Sequence, residues 1–393
     1  MSSRSAAGLS FDFTDEQVML REMVHEFVEK ECPKLVARDL EASEEYPREL
    51  ADRIAEVGLH GVGIPEEYGG QGGGMIEQVI VCEELSRSLG GLSWMWGLTA
   101  FSGAKAVLAH GSAAQKEKFL PECASGETRF AIALTEPGGG TDVLRAMHTR
   151  AKPVDGGFVL NGTKIWSTLA HVSDRLLVLA RTTDEEKPTA GLTMLLVDRR
   201  AEGVTATPIP KLGMRAVGSC EVSFSDVFVP EADVLGGVGD GWRLILGSLN
   251  SERLLVSAMC LGMHRGVLED AVAYAKEREA FGKPIGGMQA IQHGIADIAM
   301  TLRASHLLIY NAAWLYQEGR PCGVEATSAK CMAAEWATAA ADFGIQVLGG
   351  YGYAQEYNMQ RYWRDARLYR IGPITNEMAR NLVGESLGLP RSF

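Results

Sequence analysis

Apolar positions recur at helical spacing over the first third of the chain. In "DEQVMLREMVHEFVEKECPKLVARDLEA" Val18, Leu20, Met23, Val24, Phe27 and Val28 form one stripe with charges opposite, which predicts an amphipathic helix. Thr14 followed by Gln17 fits a capping box at its start, each side chain satisfying the other residue's backbone N–H. "PRELADRIAEVGLHGV" predicts a short helix that begins at Pro47 and stops near Gly58. "EEYGGQGGG" reads as a loop and "MIEQVIVCEELSRSL" as another helix. Gly90 and Gly91 then open "LSWMWGLTAFSGAKAVLAHG", and "SAAQKEKFLPECASG" adds a shorter helix.

The period changes near residue 128. "GGFVLNGTKIWST", "DRLLVLART", "AGLTMLLVDRR" and "CEVSFSDVFVP" are short runs separated by turn signals. Cys220, Val222 and Phe224 alternate with Glu221, Ser223 and Ser225, as on a half-buried strand. Asn161-Gly162 predicts a hairpin turn, with Trp166 and Thr168 on one side of the strand after it. No strand–helix–strand rhythm is present, so this part reads as an antiparallel module and not a Rossmann fold. From Trp242 onward long, Ala-rich helices return, too apolar on one side to stand alone. The expected architecture is multidomain α+β: an N-terminal helical domain over 1–128, a central antiparallel β domain over 129–237, and a C-terminal four-helix bundle over 238–393. The broad apolar helix faces predict a homo-oligomer.

Composition narrows the function classes. Among 393 residues, 46% are hydrophobic and 22% charged, as in an ordinary soluble globular protein, and no stretch reads as a membrane span. The net charge of −12 repels nucleic acid and anionic lipid, but leaves room for a small anionic ligand at helix ends and arginines. "MSSRSAAGLSFDFTDEQ" lacks the apolar core of a secretory signal. The seven cysteines form no CxxC pair, which predicts reduced, buried thiols and a cytoplasmic location. The eight histidines form no HExxH motif or close cluster, so no metal site is expected.

Three segments carry candidate chemistry. "ALTEPGGGTD" (133–142) joins three glycines to two threonine hydroxyls, a nest for a phosphate or the polar edge of a ring, or else a plain interdomain loop. It is neither a Walker loop nor a dinucleotide fingerprint. "NGTKIWST" offers Trp166 beside Thr168 to one partner, or a core Trp with a solvent Thr. "KEREAFGKPIGGMQAIQ" gathers Arg278, Lys283 and Gln289 around Phe281, as a basic-polar patch or a solvated surface.

Together with "QVLGGYGY" and "YWRDARLYRI", these segments resemble the acyl-CoA dehydrogenase flavoprotein family, over nearly the whole chain and in the family's order. The resemblance implies FAD held between subunits of a dimer or tetramer, an acyl-CoA substrate and an electron-transfer flavoprotein as partner. It implies that Leu134, Thr135 and Gly140 lie at the flavin ring and that Thr141 serves both the flavin phosphate and CoA. Trp166 and Thr168 match the pair over the flavin near N5. Arg278, Phe281 and Gln289, with Gln346 and Gly350, match contacts to a neighbouring subunit's FAD, and Thr375 and Glu377 match the last cofactor segment.

The family's reaction is α,β-desaturation, in which a carboxylate removes the α proton while hydride leaves the β carbon. Many members carry that carboxylate in a "YEGT" segment, which here reads Gly372, Pro373, Ile374 and Thr375. Proline supplies neither a base nor an N–H for the thioester oxygen. A group similar to isovaleryl-CoA and long-chain dehydrogenases takes the base from an "ER" pair on a bundle helix, and "LNSERLLV" supplies Glu252 and Arg253 there. Burial beside substrate and flavin is expected to raise Glu252 toward usefulness as a base. Gly372 and Pro373 leave a wider substrate wall, which suits a short-to-medium or branched acyl group. Trp94, Met95 and Trp96 either narrow the cavity's far end or fill the core. The alternatives on the same fold are an acyl-CoA oxidase, an enoyl-CoA reductase or a non-catalytic flavin-binding interaction protein.

Overall fold

The structure is a computed structural model and describes residues 12–391. The stretch read above as no secretory signal falls largely outside the described residues, at 1–11, as do residues 392–393. Helix α1 (Asp15–Glu31) opens with the expected box: Thr14 Oγ1 accepts from Gln17 N at 3.3 Å, and Thr14 N donates to Gln17 Oε1 at 3.1 Å. Pro33 cannot continue the helical ladder, so the long apolar run divides into α1 and α2 (Lys34–Ser43). The buried stripe of α1 is Gln17, Val24, Phe27 and Val28, with Val18 and Met23 on its exposed flank.

Helices α3 (Arg48–Glu56), α4 (Met75–Ser86), α5 (Gly90–Gly97), α6 (Ala104–His110) and α7 (Ala113–Ser125) complete the first part. A wide π turn at Leu98–Gly103 joins α5 to α6. Strands β1 (Phe130–Ala133), β2 (Arg150–Val154), β3 (Gly157–Thr168), β4 (Arg175–Arg181), β5 (Leu192–Asp198), β6 (Val204–Pro208), β7 (Ser219–Pro230) and β8 (Val234–Leu235) form one sheet. Its order is β6-β7-β3-β2-β4-β5-β8, with β1 also on β4. Most ladders are antiparallel, but β1 runs parallel to β4, as does β2 through the pair Arg150 and Arg181, so the sheet is mixed.

The hairpin expected at Asn161-Gly162 does not form. Strand β3 runs straight through these residues, and the turn into it is Asp155-Gly156. Asn161 instead bonds Asp226 across the β3–β7 ladder, through Nδ2 to Oδ1 and through Oδ1 from the Asp226 amide, each at 2.9 Å. This tertiary pair sits where the register shifts between Leu160 and Gly162, and it takes up the polar side chain that signalled a turn.

The last part holds α8 (Gly241–Glu277), the hairpin β9 (Glu279–Ala280) and β10 (Lys283–Pro284), α9 (Gln289–Gln317) and α10 (Gly323–Leu348). The short α11 (Gly350–Tyr353), α12 (Met359–Leu368) and α13 (Asn376–Ser386) follow. One stretch does reach the length and apolarity of a membrane span, contrary to the sequence reading: α8, with mean hydropathy 1.3 over its most apolar window. Of that window 67% is buried inside the fold, since α8 is the central helix packed by α4, α9 and α10. One continuous core joins helices from both ends of the chain, and the two faces of the sheet carry separate apolar clusters. The site residues lie around this junction.

Candidate active site

Glu252 lies in the interior of α8, away from both helix ends. Its side chain is half-buried, and Ser248 Oγ, one turn earlier, donates to Oε1 at 3.0 Å. Burial raises its carboxyl above the ordinary glutamate range, opposed by the Ser248 hydrogen bond and by the positive charges of Arg253 and Lys105. Arg253 is buried, donates through Nη1 to Asn250 Oδ1 at 3.0 Å, and leaves its Nε without a partner.

The Gly372-Pro373 corner follows α12, and Gly372 N donates to Leu368 O at 3.1 Å. Lys330, on α10 and fully buried, holds the corner from beneath by donating to Ile374 O at 2.5 Å and Asn376 Oδ1 at 3.0 Å. Burial lowers Lys330 to about 8, and Arg253 is among the charges it feels, so corner and Glu252–Arg253 pair share one neighbourhood. The Ile374 amide makes no hydrogen bond among the described residues, and a side chain built at Gly372 would meet open space. Tyr369 anchors the corner's entry: its hydroxyl accepts from Trp94 Nε1 at 2.9 Å and lies 3.2 Å from Met259 Sδ. Met95 and Trp96 are buried core, with Trp96 Nε1 on Leu59 O at 2.8 Å, so only Trp94 of that trio faces the corner. Thr375 caps α13 by accepting from Met378 N at 3.2 Å, and Glu377 is exposed in its first turn.

The glycine-rich loop is tied to the sheet by an ion pair that sequence reasoning missed. Lys164, fully buried on β3, donates to Glu136 Oε1 at 2.8 Å and to Leu134 O at 3.0 Å. The Glu136 oxygens also accept from His148 N at 2.7 Å and Thr149 N at 3.0 Å. Burial pushes Glu136 up, but Lys164 and these amides outweigh it and hold the carboxyl below its usual range. The pair fixes Leu134 and Thr135 against β3, where Ile165 N donates to Thr135 O at 2.8 Å, while Gly140 and Thr141 stay exposed. One residue on, Trp166 takes φ 62°, strained for an aromatic residue, at the register shift between Lys164 and Ser167. It is 56% exposed, which rules out the core-Trp alternative. Thr168 is half-buried with Oγ1 3.2 Å from Ser219 Oγ, and the buried Ser167 Oγ has no partner.

Arg278, Gln346 and Gly350 line one groove of about 540 Å³ at the end of α8, with Tyr274, Gly349 and Tyr351. Phe281, at φ 54° and 95% exposed, tips the neighbouring β9–β10 hairpin, and Gln289 is exposed at the start of α9. These groups fit an FAD. Two strained aromatic side chains lie open for a ring to cover, an arginine lines a groove floored by Gly349 and Gly350, and the Gly140 loop has free space at its tip. Sequence reasoning did not single out Lys164 or Lys330, whose burial is a tertiary property.

Comparison with known proteins identifies the family. Residues 14–127, 131–227 and 239–388 match the family models for the N-terminal, middle and C-terminal domains of acyl-CoA dehydrogenase. The mitochondrial isovaleryl-CoA dehydrogenase of Oryza sativa subsp. japonica is 38% identical over 386 residues, covering 98% of this chain and 93% of its own. Butyryl-CoA dehydrogenase from Megasphaera elsdenii superposes with a TM-score of 0.93 at 34% identity, covering 97% of this chain and all of its own. An FAD complex of PigA superposes with a TM-score of 0.91 at 27% identity, over 97% of this chain and 100% of that one. The chain belongs to the acyl-CoA dehydrogenase family: its cofactor is FAD and its reaction is the desaturation of an acyl-CoA thioester.

Proposed function

We propose that Glu252 is the base of this reaction, acting on a short-to-medium or branched acyl-CoA whose electrons pass to an electron-transfer flavoprotein. The observation that carries the assignment is a half-buried carboxylate inside α8, beside Arg253 and Lys105, with no carboxylate at 372–375. Bound FAD supplies the hydride acceptor. Glu252 takes the substrate's α proton at a carboxylate oxygen, and Ser248 orients the carboxylate through Oε1. Lys330 and Tyr369 fix the corner, and the unengaged Ile374 amide is the donor we assign to the thioester oxygen in place of the one lost at Pro373. Leu134, Thr135, Gly140, Thr141, Trp166, Thr168, Thr375 and Glu377 form one part of the cofactor site. Arg278, Phe281, Gln289, Gln346 and Gly350 form the part that reaches a second copy's FAD, which makes the enzyme a homo-oligomer, a dimer or tetramer.

The similarity to isovaleryl-CoA dehydrogenases supports a branched acyl group, as does the open space at Gly372. The seven free, buried cysteines support a reducing compartment, which we take as the cytoplasm. The test is anaerobic flavin bleaching over a panel of straight, branched, aromatic and cyclic acyl-CoAs. E252Q is expected to keep its FAD and lose the bleaching rate by about 10²–10⁴-fold, the usual worth of a general base. Undiminished bleaching in E252Q would remove Glu252 from the role.

A further inference from the structure

One space inside the fold is left unfilled. Gly97 closes α5 and is buried, yet a Cβ built on it would have no atom within 4 Å. Among the described residues it is the one buried glycine of which this holds. At Gly90, Gly91 and Gly103, in the same helical run, the added atom would meet Met214, Val217 and Phe130. The helix widens into the π turn at the next residue, Leu98. Trp94 stands three residues before Gly97, and so on the same face of the helix. It is the one residue among 78–101 that is not buried, as Glu252 is among 251–264 of α8.

A chain of contacts joins these two helices. The Trp94 indole N–H donates to the Tyr369 hydroxyl at 2.9 Å, and that hydroxyl lies 3.2 Å from Met259 Sδ on α8. Tyr369 and Met259 are both buried, so the join is sealed from water. Met259 follows Glu252 by two helical turns, on the same face of α8 and about 10 Å along its axis. Resting on the reading of Glu252 as the base of an acyl-CoA desaturation, we propose that Trp94 is the specificity-determining residue that ends the acyl pocket, and that the space at Gly97 receives a methyl branch of the acyl group. The chain passes Glu252 and runs between α5 and α8, which pack together, toward Met259. The indole holds one orientation, since swinging aside would leave its N–H unpaired in the interior. A long straight chain meets that ring, whereas a short branched one fills the widened side at Gly97.

The experiment uses the FAD-loaded enzyme and a dye acceptor, and measures kcat/KM for butyryl-, isovaleryl- and octanoyl-CoA in wild type, W94A and G97A. W94A is expected to raise octanoyl-CoA relative to butyryl-CoA by about tenfold or more. G97A is expected to lower isovaleryl-CoA relative to butyryl-CoA by about tenfold, the worth of one carbon in an apolar pocket. G97A adds a methyl group where no atom stands, and alanine favours helix, so its melting temperature does not fall. Dissociation constants of the corresponding enoyl-CoA products, read from the absorbance of the oxidised flavin, report the same two ratios without turnover. An unchanged chain-length ratio in FAD-loaded W94A overturns the proposal. So does an unchanged branch ratio in G97A, which decides alone should W94A not fold. Bleaching retained in E252Q, or a wild type that none of the three substrates bleaches, defeats the functional reading instead, and the enoyl-CoA ratios still decide on Trp94.

Discussion

At the scale of single residues, the Glu136–Lys164 pair has the larger structural role, and Glu252, the proposed base, the chemical one. Both members of the pair are buried, and together they satisfy the two amides just before β2 and the carbonyl of Leu134. Removing one partner of such a pair leaves an uncompensated buried charge, which costs about 3–5 kcal/mol. K164M is therefore expected to lower the melting temperature and to purify with less FAD, measured by calorimetry and by the flavin-to-protein absorbance ratio. A variant with full flavin content and unchanged stability would show that the loop is held by other means. The loop's chemistry was legible in "LTEPGGGTD" and "NGTKIWST", because glycines and hydroxyls announce a nest by type alone. The lysine that holds it was not, because burial is a tertiary property and Lys164 looks like any strand lysine. Asn161-Gly162 failed for the converse reason: its local turn preference lost to a bond with Asp226, 65 residues away in sequence.

At the scale of elements, α8, which carries the proposed base, packs closely on α4. A Cβ at Gly262 would overlap the carbonyl oxygen of Glu83, and one at Gly266 would overlap the carbonyl oxygen of Arg87 and the hydroxyl of Tyr362. The helices thus approach backbone to side, and Arg265 between these glycines reaches both Glu83 and Glu84 of α4. Arg21 of α1 and the hydroxyl of Tyr310 from α9, 2.7 Å from Glu83, close the same network. Overpacking such a contact costs about 1–3 kcal/mol. G262A is expected to destabilise the protein by that amount in urea titration, even though alanine favours helix over glycine; a stabilised variant would mean that α8 and α4 can separate freely. Helix periodicity made the long bundle helices and the Thr14–Gln17 box readable. It could not reveal the break at Pro33, nor the parallel pairing of β1 and β4, because parallel and antiparallel neighbours impose the same alternation on a strand.

At the scale of the whole molecule, one buried cluster ties together all three regions of the chain. Glu41 of α2 accepts from the amides of Arg215 and Ala216, at 2.7 and 3.0 Å, in the loop between β6 and β7. Asp365 of α12 accepts from the amide of Met214 in that loop at 2.6 Å, while its Oδ2 has no partner. Burial, and then the charge of Glu41, push Asp365 up to about 7, against Arg361, the Met214 amide and Arg364. In the unfolded chain the same group titrates in the ordinary aspartate range. Between that range and about pH 7 the folded protein therefore holds a proton that the unfolded chain has released. By linkage, the stability contributed by this group is full at acidic pH and is lost as pH rises through about 7. D365N keeps an acceptor for Met214 N without a titrating proton, so its stability does not share that decline. The stability difference, D365N minus wild type, is expected to grow by about 1 kcal/mol or more between pH 5 and pH 8 in parallel denaturation series. A difference that stays constant over this window would mean that Asp365 is already ionised in the folded state. A growing one identifies the junction of α2, the β6–β7 loop and α12 as a place where raising the pH loosens the contact between the regions that frame the active site.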